Sequence, residues 1–116
     1  MARKYENLEC YKLSVAIAAE IIPYAESIRP YRVGGQIAAS ALSISSNIAE
    51  GAMYKSERDF LRFLNYSLGS AAELLTQLDV LHLINPESGS IAEWKSRVQS
   101  ITRMISRLMT SIEVRG

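Results

Sequence analysis

A chain of 116 residues is one domain on length alone, and it is large enough to bury a real core without disulfide help. Hydrophobic residues make up 48% and the single cysteine, Cys10, has no internal partner, so the composition is globular and excludes both a disordered segment and a disulfide scaffold. Thirteen basic against twelve acidic side chains leave a net charge of +1, short of the basic balance of a dedicated nucleic-acid binder, so any such function has to come from charge segregation.

The opening MARKYENLEC starts basic but turns polar, unlike a signal peptide, and no apolar run approaches the ~20 residues that span a bilayer. A cytoplasmic protein without a membrane role is the expectation. The first periodic segment begins near Tyr5 or Glu6. Leu8, Tyr11, Val15, Ala18 and Ile22 fall on one helical seam, widened by Ile17 and Ile21. Pro23 interrupts it and predicts a kink followed by one more turn, through Ala25 and Ile28. Pro30 ends the helix, because the residue before a proline avoids the helical region. The connection PYRVGG is short and carries two glycines, which forces the next helix to run back antiparallel.

The second helix is predicted from about Val33 to Met53, and its stretch QIAASALSISSNIAEG, Gln36 to Gly51, organises the chain. Ile37, Ala41, Ile44 and Ile48 form the apolar face, and nearly every flanking side chain is small, as suits a central helix with neighbours on several sides. The opposite stripe of Gln36, Ser40, Ser43, Asn47, Glu50 and Tyr54 is polar but short-limbed. It suits either a solvent face or a polar seam against another helix or subunit. Gly51 reads as the helix terminator.

Ser56-Glu57-Arg58-Asp59 has the form of a capping box, worth ~1 kcal/mol, and starts a third helix that runs to about Ile84. Leu61, Leu64, Leu68, Ala71, Leu75 and Leu78 make one seam, and Phe60, Phe63, Leu74 and Leu81 a second beside it. Gly69 sits mid-helix at a cost of ~1 kcal/mol relative to alanine, which suggests close packing over it by the slender second helix. Asn85-Pro86 stops the helix. Ser90 with Glu93 reads as another capping box, after which Ile91, Trp94, Val98, Ile101, Ile105, Leu108 and Ile112 hold a/d spacing for three heptads. Four helices, three short links and no alternating strand pattern describe an all-α, up-down-up-down antiparallel four-helix bundle, one domain over residues 1–116. In that arrangement the fourth helix lies against the first, burying Trp94 there.

No catalytic constellation is legible. His82 has no second His or Cys at ligand spacing, Glu20 and Glu73 are isolated carboxylates, and Gly34-Gly35 lacks the lysine and the strand of a phosphate loop. The serines stand without a base and suit close packing. A chain that is not an enzyme, with no metal, cofactor or small-molecule substrate, is the expectation. Basic residues do segregate: Lys55, Arg58 and Arg62 line up at the start of the third helix, and Arg103 and Arg107 share a face of the fourth with Ser96 and Ser100. Antiparallel docking brings the first group toward Arg107 and Arg115. This is either a phosphate-contacting patch of modest strength or an ordinary solvated face, with no aromatic residue interleaved for stacking. Glu50, in the last turn of the second helix, faces the negative end of the helix dipole. It is expected to clamp the second helix to the third through Lys55, Arg58 or Arg62, with Asn47 satisfying backbone groups at Gly51. Tyr11, Tyr24, Tyr31, Tyr54 and Tyr66 fall on outer faces, and with the two-sided apolar third helix they point to homo-oligomerisation.

The order Gln36-Ile37, SNIAEG from Ser46 to Gly51, Ser56 with Phe60 and Leu64, then GSAAELLTQL from Gly69 to Leu78, resembles one family from about Tyr5 to Ile112. It is the bacterial four-helix-bundle proteins first noted as products of intervening sequences within large-subunit ribosomal RNA genes, to which accessory proteins of diversity-generating retroelements are related. The resemblance implies a ring-like homopentamer, no enzyme activity, and a role in binding RNA or DNA or a nucleic-acid-handling protein. Its matching positions here are Gln36, Ser46, Asn47, Glu50, Gly51, Gly69, Ser70, Glu73 and Gln77, taken as fold-defining. The chain departs from the family in carrying Ala38 and Ala39 where basic residues are common, and in a shorter IRPYRVGG segment without its Glu, so weak nucleic-acid binding is expected.

Overall fold

A computed structural model of the protein describes residues 5–115. The first four residues of the opening segment and Gly116 lie outside the described residues, as do the side chains of Asn7 and Arg115. A single 3-10 turn, Tyr5–Asn7, leads into α1 (Glu9–Ala25), α2 (Tyr31–Ala52), α3 (Glu57–Ile84) and α4 (Gly89–Arg115), with no strand among the described residues. Each helix packs on its two neighbours in an up-down-up-down square, α4 closes back on α1, and the backbones of diagonal pairs stay apart across the shared core. The bundle measures 44 × 21 × 20 Å, close to one α3 length along its axis at ~1.5 Å per residue.

The core takes part of each predicted seam: Val15, expected on the α1 seam, is exposed, and Leu8, Tyr11, Ile22, Leu61, Leu68, Leu75 and Leu108 are only partly buried around it. Ile17 and Ile21 of α1, Ile37, Ala41, Ile44 and Ile48 of α2, Leu64, Leu74 and Leu78 of α3, and Ile91, Val98, Ile101, Ile105 and Ile112 of α4 are all essentially inaccessible. Trp94 is buried against α1, its ring 5.3 Å from Tyr24 and its indole N–H donating to Glu20 at 3.2 Å. Serines fill the α2–α3 contact: the fully buried Ser67 hydroxyl donates to the Ile44 carbonyl at 2.8 Å. Their small volume brings the two backbones together, and the neighbouring helix satisfies the hydroxyl.

Three local expectations are corrected. First, α2 begins at Tyr31 and absorbs both glycines, so the link is shorter than PYRVGG implied and Ile28, outside α1, packs on the core from the turn. Gly34 permits this, because a Cβ there would run into the Ala25 carbonyl. Second, nothing packs over Gly69: it is exposed, with no heavy atom within 4 Å of a Cβ built on it. The close approach predicted there occurs at Gly51, where a Cβ would lie 2.6 Å from that of Phe63. Helical period alone does not say which glycine faces a neighbour. Third, α4 is capped two residues earlier than predicted, its Ile91 N–H donating to the Ser88 hydroxyl at 3.3 Å, while Ser90 is already inside the helix. The Ser56 cap is where the sequence placed it, accepting from Asp59 N–H at 3.2 Å.

Candidate nucleic-acid interface

The polar stripe of α2 divides. Ser43 meets Ser70 of α3 at 2.8 Å, and the Asn47 amide donates to the Ser43 carbonyl at 2.9 Å and to its hydroxyl at 3.0 Å. Asn47 therefore bonds one turn back within α2, bracing the Ser43 hydroxyl that meets Ser70, and it does not cap Gly51 as expected. Ser46 faces outward and donates to the Leu42 carbonyl at 3.0 Å. Farther along, Gln36, Ser40, Ser70, Glu73 and Gln77 line an open groove of about 460 Å³ floored by Ala39. Four of the motif positions read from the sequence thus converge on one surface feature.

Glu50 is not a clamp. It is exposed and makes no ion pair among the described residues. Arg62, the cation offered to it, binds Asp59 at 3.0 Å instead, one turn away on its own helix where no inter-helix gap has to be bridged. The α2–α3 corner is closed by apolar contact, Gly51 admitting Phe60 and Phe63.

The five basic positions separate into two groups. Arg62 lies over the Phe63 ring at 4.7 Å and near Tyr66 at 5.9 Å, and Tyr54 stacks on Phe63 at 5.2 Å. Hydrogen bonds to Tyr66 and then to Asp59 hold the Arg62 guanidinium above its ordinary pKa. Aromatic rings are therefore interleaved with this basic edge, contrary to the reading from helical spacing. Tyr66 stands one turn from Arg62, while Tyr54 arrives from the preceding loop, where periodicity has no reach. Lys55 and Arg58 are exposed beside them, but Glu57 and Asp59 alternate with them in sequence.

Arg103 and Arg107 leave α4 on the side opposite its core residues, and both are exposed. Arg103 donates to the Ser100 hydroxyl at 3.0 Å, and neither arginine has an ion-pair partner among the described residues. The Lys95–Asp79 ion pair, 2.6 Å long, sets the antiparallel register. Counting from it in opposite directions puts Arg107 level with Ser67 and Arg62 level with Ile112. Along the bundle axis Arg62 and Arg107 are thus offset by about 7 Å at ~1.5 Å per residue, on adjacent helices and not in direct contact. Neither α3 from Phe60 to Ala72 nor α4 from Gln99 to Ser111 contains an Asp or Glu. By contrast, Lys95 and Arg97, earlier on α4, are neutralised: Lys95 binds Asp79, and Arg97 binds Glu20 of α1 at 2.8 Å and Glu93 at 3.3 Å.

The remaining titratable groups are dispersed. His82 is half-buried with its Nδ1 enclosed and unpartnered, and no group of three His, Cys, Asp or Glu suited to a metal ion occurs among the described residues. Burial pushes the Cys10 thiol up. Bonds from Arg97 and then Trp94 hold the Glu20 carboxyl below its ordinary value. That link joins residues far apart in sequence and had no signal in helical spacing. None of the helices, among the described residues, is long and apolar enough to cross a membrane.

Fold and surface together define a small all-α bundle protein with a polar groove between α2 and α3 and an arginine-bearing strip on α3 and α4. Comparison with known families is more specific: the chain belongs to the 23S rRNA-intervening sequence protein family, whose profile matches residues 6–107. Among solved structures, the chain is similar to a protein of unknown function from the S23 ribosomal protein family of Bacteroides thetaiotaomicron. The two share 21% identity and a TM-score of 0.79, over 86% of this chain and 97% of that one, a likeness of fold. No curated protein matches the chain in sequence.

Proposed function

We propose that this chain is a non-enzymatic, self-associating bundle of the cytoplasm that contacts the phosphate backbone of nucleic acid through Arg62, Arg103 and Arg107. One observation carries the reading: Arg103 and Arg107 stand exposed without an ion-pair partner among the described residues, on a stretch of α4 that holds no carboxylate, in a chain whose overall charge is almost balanced; Arg62, paired with Asp59 on its own helix, adds a third, partly offset cation. Charge segregation of this kind attracts a polyanion locally when the whole molecule does not. Exposed Asn65, Gly69 and Ala72 keep the α3 side of the strip low, so a backbone can approach it. Lys55 and Arg58 extend the strip at the α3 start but sit among acids, which makes them the weaker contributors.

Three arginines are few, and weak binding per protomer is the consequence. A ring of copies, for which the pentamer implied by the family resemblance is the working stoichiometry, would multiply it through effective concentration. Exposed apolar side chains favour such an assembly: Leu42 beside the α1–α2 groove is 53% exposed, and Leu83 and Ile84 at the end of α3 are 83% and 74% exposed. The test is binding of labelled RNA and duplex DNA by fluorescence anisotropy from ~50 mM salt upward, where phosphate contacts are strong at the start and fade as salt rises. Arg103→Glu with Arg107→Glu should abolish binding. Lys12→Glu with Arg32→Glu, an equal change of net charge elsewhere on the surface, should leave most of it. Equal loss in both double variants, or no binding by the unaltered chain at low salt, overturns the reading in favour of a protein–protein scaffold.

A further inference from the structure

The groove between α2 and α3 has an unusual hydrogen-bonding balance. Its hydroxyl hydrogens are all committed. Ser40 Oγ donates to the Gln36 carbonyl at 3.0 Å and Ser70 Oγ to the Tyr66 carbonyl at 3.2 Å. Ser43 is then the donor in its 2.8 Å contact with Ser70, while its own oxygen accepts from Asn47. What the three hydroxyls have left is lone pairs. Glu73 adds a carboxylate with no ion-pair partner among the described residues, and no Lys or Arg lines the groove. Gln77, which also lines it, has an enclosed Oε1 that no donor reaches. Apart from the amide groups of Gln36 and Gln77, the groove offers acceptors only.

We propose that this groove receives an arginine side chain presented by a partner polypeptide, with Glu73 as counter-ion and the oxygens of Ser40, Ser43 and Ser70 as further acceptors. The chemistry selects the ligand. A guanidinium brings five donors and no acceptor, in a plane that serves several oxygens at once, whereas an ammonium is a compact point charge with three donors. One carboxylate balances one cation, which disfavours a polyamine. A free amino acid would set its own carboxylate against Glu73, so the arginine comes within a chain. Ala39 at the floor leaves room for it. The proposal is independent of the phosphate reading, because the arginine strip of α3 and α4 contributes no residue to the groove.

The experiment is a titration of the full chain, followed by amide NMR, with an acetylated and amidated Gly-Arg-Gly peptide. Saturable shifts are expected at Gln36, Ser43, Ser70 and Gln77, fading as salt rises. The peptide with citrulline in place of arginine, which keeps the shape and loses the charge, should bind at least tenfold more weakly. Glu73→Gln should weaken the arginine peptide by a similar factor. Ala39→Arg, which puts a cation of the chain's own into the groove, should block the peptide while the helical circular dichroism stays unchanged. Shifts that do not saturate, equal response to citrulline, indifference to Glu73→Gln, or tighter binding of spermidine than of the peptide would each overturn the proposal. A groove already filled by a second copy would leave these residues unresponsive and overturn it as well.

Discussion

Two glycines separated by one turn of the bundle's logic show how a residue's effect depends on what faces it. Gly51 accommodates the Phe63 side chain, and an added methyl would lie 2.6 Å from its Cβ and 3.3 Å from the Phe60 carbonyl oxygen. Gly51→Ala should therefore destabilise the bundle by about 1–3 kcal/mol, the usual cost of overpacking a tight contact. Gly69 faces open space, so Gly69→Ala meets no obstacle and recovers helix propensity, stabilising by about 1 kcal/mol. Urea denaturation midpoints measure both, and the two shifts should have opposite signs. A loss of stability at Gly69→Ala would mean that an assembled neighbour covers this face. Glu50 makes the same point in reverse. Its exposed side chain without an ion pair makes the corner's stability a matter of Phe60 and Phe63 packing on Gly51, a shape effect that charge spacing does not disclose.

At the scale of elements, α4 depends on how it starts and on how it is tied to α1. Ser88 caps it, so Ser88→Ala should cost about 1 kcal/mol while Ser90→Ala, inside the first turn, changes little. The tie to α1 is Glu20, which accepts from Trp94 at 3.2 Å and from Arg97 at 2.9 Å. These bonds hold the folded-state pKa of Glu20 below its ordinary 4.5. A group with a depressed folded pKa contributes stability above its unfolded pKa and loses it as pH falls through the folded one. Stability conferred by Glu20 is thus full near neutrality and declines as acid takes the pH below about 4.5. Between pH 7 and pH 3 the Glu20→Gln variant should lose less stability than the unaltered chain. Trp94 fluorescence, blue-shifted in the buried state, follows the unfolding directly. The same packing shields Cys10, whose raised pKa and burial predict slow reaction with a thiol reagent until the bundle unfolds.

For the whole molecule, the question is what covers the apolar side chains that the bundle leaves outside. Val15 and Leu42 border an open groove of about 420 Å³ between α1 and α2, and Val80 and Ile84 border another of about 320 Å³ at the α1–α2 turn. Single exposed apolar residues need no explanation, but clusters beside grooves are the surfaces on which copies associate. Light scattering should return a mass that is a multiple of 12.9 kDa, five-fold if the ring implied by the family resemblance forms. Leu42→Glu should lower that mass without changing helical content. The mass of one chain for the unaltered protein would remove the assembly, and with it the avidity that the proposed nucleic-acid binding calls on.

The sequence by itself determined the architecture. Apolar residues recurring at three and four positions, two proline-marked stops and the Ser56 cap leave no arrangement other than four antiparallel helices, because period and chain breaks are local properties. The motif from Gln36 to Gly51 and from Gly69 to Leu78 likewise marked the family before any coordinate was known. Tertiary structure alone decided which small residues are contacts and which are open surface, since that depends on the rotation of one helix against the next. It placed Gly51 under Phe63 and left Gly69 bare, moved the α4 cap to Ser88, and gave Arg62 to Asp59 rather than Glu50. It also gathered Gln36, Ser70, Glu73 and Gln77 into one groove. These positions are spread over two helices, and spacing along a chain carries no information about which residues of different helices share a wall.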